Sequence, residues 1–364
     1  MDHQARLRSL EQTLVQIKLH CFLATHPPNI RYLCGFTGSS AALLVHPGGS
    51  VLFTDGRYTQ QAREEVHGAK VVIGRKTPGL AAVEWLGRQR KTSSPERRSL
   101  GFEGEHLTVA GRRRLSEALP KHFQLREAPP LVEQARMIKD GEEIGLIREA
   151  VARGASLFER ALELIRPGVR EIEVAAAMEF SAREAGAEGM SFETIVASGA
   201  RSALPHGRAS HEPIRPGGFV VCDFGVILHG YCSDRTRTVY VGSASGEARR
   251  VYDAVLESQQ AAIEAVEPGV SVGQVDRAAR KVLQKSGLAK YFTHSTGHGV
   301  GLEIHEAPRV AKGQPERLSP GMVITIEPGV YLPGQWGVRI EDMVVVTGHG
   351  CEVLTPTQKD FIAI

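Results

Sequence analysis

The chain has 364 residues, 42% hydrophobic and 23% charged, which is ordinary globular composition and more than one hydrophobic core usually serves. Its 44 basic and 41 acidic residues leave a net charge of +3 without a single-sign block, so nothing points to nucleic acid or to an anionic membrane. Five scattered cysteines, Cys21, Cys34, Cys222, Cys232 and Cys351, lack CxxC spacing; they argue against a disulfide framework or a thiolate zinc site and fit a reducing cytoplasm.

The amino-terminal stretch sets Leu7, Leu10, Leu14 and Ile17 at helical spacing. It lacks the ~7–15 continuous apolar residues of a signal peptide. No run approaches the ~18 apolar residues needed to span a bilayer, so a soluble cytoplasmic protein is expected. Short apolar runs at Phe22–Thr25, Ala41–Val45, Val51–Phe53 and Lys70–Ile73 read as strands. Amphipathic segments near 57–67, 79–91 and 109–119 read as helices, giving a small α/β domain. The stretch Glu127-Ala128-Pro129-Pro130-Leu131 reads as a linker, because two prolines remove two backbone donors and favour extended chain. It divides the chain into residues 1–130 and 131–364.

The second part begins with a long helical pattern from Lys139 to Ile165 that stops at Arg166-Pro167-Gly168-Val169, and another helix follows over about 170–186. This arrangement recurs: Ala262 to Val270 repeats Ala161 to Val169 at an offset of 101 residues. Pro216-Gly217 leads through an apolar run to Asp223, and Pro320-Gly321 leads through another to Glu327, both at an offset of 104. An internal duplication of that kind predicts two similar αβ halves about a pseudo-twofold, with Asp223 and Glu327 in equivalent places.

The acidic residues are then conspicuous. Segment 219–241 reads as a hairpin turning at His229-Gly230; around a two-residue turn, cross-strand partners add to an odd number, as 223 and 234 do, so Asp223 and Asp234 share a face. Val323–Glu327 and Gly337–Val346 read as a second strand pair turning at Pro333-Gly334, with Arg339 and Glu341 two apart on one strand face. Between the hairpins lies Gly297-His298-Gly299-Val300-Gly301, where glycines allow backbone to approach a ligand closely. Carboxylates gathered on buried strand faces repel and are costly to desolvate unless a cation lies among them. Four carboxylates are balanced by two divalent ions, and hard oxygen donors with one imidazole suit Mn²⁺-like ions.

The residues Asp223, Asp234, His298, Glu327 and Glu341, in the stretches DFGVILHGYCSDRTRT, HSTGHGVGLEIHE, ITIEPGVY and GVRIEDMVVV, resemble the dinuclear site of the pita-bread metallopeptidases. That family includes methionine aminopeptidase, prolidase (Xaa-Pro dipeptidase) and aminopeptidase P (Xaa-Pro aminopeptidase). The stretches NIRYL, GFTGSS and TDGRY resemble the domain that precedes the catalytic one in prolidases, aminopeptidases P and creatinase. The resemblance implies a small amino-terminal α/β domain followed by a pita-bread catalytic domain of duplicated αβ halves. It implies that Asp223 binds one metal, that His298 and Glu327 bind the other, and that Asp234 and Glu341 bridge both. It places His206 and His305 in the substrate pocket and gives Arg339 the task of holding a metal-bridging group or a substrate carboxylate.

The expected reaction is removal of the residue preceding proline at a peptide amino terminus, by a hydroxide bridging two divalent ions, most readily Mn²⁺, with Co²⁺ or Zn²⁺ as alternatives. Glu327 is expected to carry the proton to the prolyl nitrogen, and His206 and His305 to stabilise the oxyanion. GFTGSS and TDGRY lean toward an aminopeptidase; a dipeptidase is the alternative, and a binding protein on the same fold is the non-enzyme rival. The resemblance also implies a homodimer. No HExxH helix or dinucleotide fingerprint competes with this reading.

Overall fold

In the computed structural model, which describes residues 1–88, 98–355 and 357–364, the amino-terminal helical spacing forms α1 (His3–Gln16) with Leu7, Leu10 and Leu14 buried. Asp2 caps it, its carboxylate accepting from the Ala5 amide at 2.8 Å. By contacts, the chain divides into two units, Met1–Arg136 and Met137–Ile364.

The first unit carries a six-stranded sheet of β1 (Cys21–Ala24), β2 (Ala41–His46), β3 (Gly49–Asp55), β4 (Ala69–Gly74), β5 (Arg98–Glu103) and β6 (Phe123–Ala128), in the order β4-β3-β2-β1-β5-β6. β2 runs antiparallel to both neighbours, and the other pairings are parallel. The four apolar runs of the sequence are β1 to β4. β5 and β6 carried no such signal: β6 is an edge strand whose charged Arg126 and Glu127 face outward. The helices are α2 (Pro27–Cys34), α3 (Thr59–Glu65), α4 (Pro78–Arg88), α5 (Val109–Ala118) and α6 (Leu131–Met137). Residues 89–91 of the helix expected over 79–91 lie outside the described residues. Pro27 and Pro28, which look like breakers, open α2, because the first turn of a helix needs no amide donors.

The second unit opens with α7 (Gly141–Leu164) and α8 (Glu171–Glu184). Six strands follow: β7 (Gly189–Met190), β8 (Ile195–Ser198), β9 (Gly218–Phe224), β10 (Val226–Leu228), β11 (Tyr231–Cys232) and β12 (Arg235–Val241). The second half repeats the pattern with α9 (Gly246–Glu264), α10 (Val272–Lys285), β13 (Gly297–Gly299), β14 (Glu306–Val310) and β15 (Val323–Ile326). It closes with β16 (Gly329–Leu332), β17 (Trp336–Arg339), β18 (Asp342–Thr347) and β19 (Gly350–Val353). The duplication is visible in the backbone itself. Gly168 and Gly269, between the helices of each half, have φ of +91° and +84°; Gly217 and Gly321, before β9 and β15, have +87° and +90°. Each half buries its helix pair against its own strands, with Ile165, Val174 and Val220 in one core and Val266, Val275 and Ile324 in the other.

The first hairpin turns at His229-Gly230, both with positive φ, in the two-residue form. It is not one continuous ladder: β10 and β11 join a sheet with β7, while β9 and β12 join one with β8. Paired residues nevertheless add to the same total, 459, in both ladders, so the register runs unbroken through the kink. A Cβ on Gly225 would lie 1.8 Å from the Ser233 carbonyl oxygen, which is why glycine stands there. The second hairpin departs from expectation: Gly337–Val346 is broken at Ile340-Glu341 into β17 and β18, so Arg339 and Glu341 do not lie on one strand. The pairs Gly329↔Arg339 and Ile326↔Asp342 share one total, 668, which sets Glu327 across from Glu341.

Candidate active site

Strand ends deliver the acids. Asp223 is the penultimate residue of β9, Asp234 precedes β12, Glu327 follows β15 and Glu341 fills the gap between β17 and β18. His298 is the centre of β13, where Gly297 lets the chain pass so near β15 that a Cβ would stand 1.9 Å from the Thr325 oxygen. These five side chains, with Arg339, His206 and His305, line one cavity of ≈ 680 Å³. Asp234, Glu341 and Arg339 are buried at 4%, 2% and 3% exposure, so this is a charged group inside the protein.

Asp234, His298 and Glu341 offer ligand atoms all within 4.8 Å of one another. His298 Nε2 stands 3.6 Å from Asp234 Oδ2 and 3.5 Å from Glu327 Oε1. Those spacings resemble ion pairs, but burial pushes the imidazole down to about 4, so it is neutral near pH 7. Its Nδ1 faces the Gly299 carbonyl at 3.0 Å, an acceptor only, so Nδ1 carries the hydrogen and Nε2 turns a lone pair to the carboxylates. A lone pair facing two carboxylate oxygens beyond hydrogen-bond reach is the donor set of a cation.

The carboxylates tell the same story. Burial, and then the neighbouring charges of Glu341, Asp223 and Glu327, hold Asp234 well above the usual carboxylate range. Burial followed by Glu327 and Asp223 does the same to Glu341. Burial raises Glu327 to about 7, against the opposing pull of Arg339. Asp223 Oδ1 is buried without a hydrogen-bond partner. One guanidinium therefore does not satisfy the cluster, and a divalent cation fits both the unpartnered oxygen and the donor chemistry.

Arg339 anchors the arrangement. It donates to Asp223 Oδ2 at 2.6 Å, the Tyr331 hydroxyl at 2.7 Å, the Pro205 carbonyl at 3.0 Å and Thr236 Oγ1 at 3.0 Å. Thr236 Oγ1 in turn donates to Glu341 Oε2 at 2.7 Å, joining the two halves of the site. Thr325 Oγ1 lies 3.4 Å from Glu327 Oε1, and the Glu327 amide donates to the Thr296 carbonyl at 2.8 Å. His206 and His305 are exposed at the cavity, and His305 packs edge-on against His298 with ring centroids 4.5 Å apart.

The sequence reading did not single out Thr236, His294 or Tyr331. Thr236 was reachable, since the hairpin register sets it directly opposite Asp223. His294, whose Nε2 lies 2.8 Å from the Tyr331 hydroxyl, and Tyr331 are lone polar residues without periodic signature.

Comparison with known proteins agrees with the geometry. The description "Metallopeptidase family M24" matches residues 145–348, and "Creatinase/Prolidase N-terminal domain" matches residues 6–138. The chain is 37% identical to an uncharacterized peptidase, YqhT, of Bacillus subtilis over 359 residues, covering 99% of this chain and 100% of that one. It is 45% identical to an Xaa-Pro dipeptidase of Pyrococcus furiosus over 239 residues, 66% of this chain and 69% of the relative. Among solved structures, an Xaa-Pro dipeptidase from Bacillus anthracis aligns with a TM-score of 0.94 at 38% identity, covering 100% of both chains. An X-Pro aminopeptidase from Thermotoga maritima aligns with a TM-score of 0.86 at 35% identity, covering 97% of this chain and 100% of the other.

Proposed function

Because the chain belongs to metallopeptidase family M24, with a creatinase/prolidase amino-terminal domain and a pita-bread catalytic domain, we propose that it is an exopeptidase releasing the residue that precedes proline at a peptide's amino terminus. The observation that carries this is the meeting of Asp223, Asp234, His298, Glu327 and Glu341 in one cavity whose carboxylates lack sufficient counter-charge. Family membership implies divalent metal ions. Asp223 would hold one ion, His298 and Glu327 the other, and Asp234 and Glu341 both. The oxygen-rich set favours Mn²⁺. A bound divalent pair supplies a hydroxide nucleophile at neutral pH and Lewis-acid polarisation of the scissile carbonyl.

The protein's own groups do the rest. Arg339 fixes Asp223, and through Thr236 it fixes Glu341. The Gly299 carbonyl fixes the ring of His298. Glu327, which lines the cavity beside His298, would take the proton of the attacking water and deliver it to the prolyl nitrogen, which leaves as an amine. His206 and His305 donate hydrogen bonds to the developing oxyanion, a contribution of ~3 kcal/mol for one donor. Phe192 and Ile304 supply apolar wall to the same cavity.

The length of the substrate separates two readings. An aminopeptidase admits chain beyond proline, and a dipeptidase closes behind it. The dipeptidase reading has specific support in the relatives bearing that name and in Arg208 and Arg309, two guanidinium groups lining the cavity that suit a free proline carboxylate. Release of alanine from Ala-Pro and from Ala-Pro-Ala by the Mn²⁺-loaded protein decides it. Cleavage of Ala-Pro-Ala means an aminopeptidase, cleavage of Ala-Pro alone means a dipeptidase, and failure on both overturns the peptidase assignment.

Five free cysteines suit a reducing cytoplasm, and no described helix is long and apolar enough to cross a membrane. A homodimer follows from the family resemblance, and light scattering of the purified protein checks it. Neither bears on the chemistry.

A further inference from the structure

Arg237 does not line the cavity, yet at 2% exposure it is among the most enclosed large side chains of the protein. Its guanidinium donates to the main-chain oxygens of Thr236 at 2.9 Å and Glu341 at 2.5 Å, and to Asp342 Oδ1 at 2.8 Å. The same group reaches into the chain after β19, donating to Thr357 O at 3.1 Å, Thr357 Oγ1 at 2.7 Å and Gln358 O at 3.2 Å. Asp342 accepts in turn from Thr355 Oγ1 at 2.8 Å, Gln259 Nε2 at 2.8 Å and Lys359 Nζ at 2.6 Å.

One buried ion pair thus joins three groups of residues: the strand carrying Thr236, the Glu341-Asp342 step opening β18, and Thr355, Thr357, Gln358 and Lys359. Glu341 itself sits where β17 has ended and β18 has not begun, so little of the ladder holds it. Its amide bonds to the Thr236 carbonyl at 3.2 Å and its carboxylate to the Thr236 hydroxyl at 2.7 Å. Arg237 grips the main-chain carbonyls of both residues in that contact. For stability alone such a pair is a poor device, because desolvating two ions costs several kcal/mol each and apolar packing of the same volume serves as well. For holding a carboxylate oxygen in place it is well suited, since planar guanidinium donors fix direction as well as distance.

We propose that Thr355, Thr357, Gln358 and Lys359, acting through Arg237 and Asp342, are a positioning device for Glu341, setting the affinity of the site for its divalent metal. The proposal rests on the reading of Glu341 as a metal ligand. Apoprotein of the full chain is titrated with Mn²⁺ by calorimetry, and the melting temperature of each apoprotein is recorded. Thr357→Val and Lys359→Met remove one contact each at the far side of the pair. They should weaken Mn²⁺ binding by roughly 10-fold, the usual cost of losing a group that orients a ligand. Lys359→Arg should bind as the wild type does.

Wild-type affinity in both Thr357→Val and Lys359→Met, whatever their melting temperatures, would overturn the proposal. So would an equal loss of affinity in Asp140→Ala, a helix-cap variant of the same unit, because the effect would then be one of general stability. Glu341→Gln keeps the two levels of argument apart. If that variant binds Mn²⁺ like the wild type, the ligand assignment itself falls and takes this inference with it. If Glu341→Gln loses metal while the segment variants do not, only the positioning role falls.

Discussion

Two imidazoles with opposite duties illustrate the residue scale. His298 and His294 are both held near pH 4 by burial, and each directs Nδ1 to a main-chain carbonyl, at Gly299 and Ser295. For His298 that leaves a lone pair among carboxylates; for His294 it leaves one to accept the Tyr331 hydroxyl, which itself accepts from Arg339. Protonating His294 would put a second hydrogen against Tyr331. Its folded pKa lies below the ordinary ~6.5, so its neutral form supports the fold above that pH, and the support is lost as pH falls from 6.5 toward 4. The imidazole resonances of His294 should stay those of the neutral ring at pH 5.5, and His294→Gln should flatten the fall of unfolding free energy between pH 7 and pH 5. A ring already half-titrated at pH 6.5 would contradict this. For the chemistry, Glu327→Gln should cut kcat by about 10²–10⁴-fold even at saturating Mn²⁺. Full turnover with metal bound would take Glu327 off the proton path. His206→Ala should lower kcat more than metal occupancy, read by the same two assays.

At the scale of elements, what was legible followed from spacing. The offset repeats located both halves, and the turn at His229-Gly230 put Asp223 and Asp234 on one face because register is arithmetic once the turn is known. The break at Ile340-Glu341 was not legible: Val338, Ile340 and the run Met343–Val346 are apolar on both sides of it, and only the three-dimensional course of the chain shows that the ladder stops there. β6 was missed because an edge strand carries too little apolar alternation to announce itself, and β5, though a buried interior strand, has its apolar run interrupted by Ser99, Gly101 and Glu103. Helix α7 makes a separate prediction. Asp140 and Glu143 form a reciprocal cap, Asp140 Oδ1 accepting from the Glu143 amide at 2.9 Å and Glu143 Oε2 from the Asp140 amide at 3.0 Å. Asp140→Ala should cost about 1 kcal/mol in urea unfolding and leave turnover per bound metal unchanged. An unchanged midpoint would mean that packing of the apolar face alone sets the start of α7.

For the molecule as a whole, a metal held by the proposed ligands would stabilise the fold as well as supply chemistry. Chelation should abolish activity and lower the melting temperature, and saturating Mn²⁺ should restore both, with a gain of about 2.7 kcal/mol at a hundredfold excess over Kd. Identical melting with and without metal would argue that the cluster is not a binding site. Asp223 and Asp234 come from the first half of the duplicated unit, and His298, Glu327 and Glu341 from the second. A ribosome therefore exposes two of the five proposed ligands before the other three. A nascent chain halted after the first half carries Asp223 and Asp234 without His298, and the proposed brace on Glu341 arrives only with the residues after β19. On the proposed ligand set, capture of a metal pair by all five residues therefore waits for the second half of the chain.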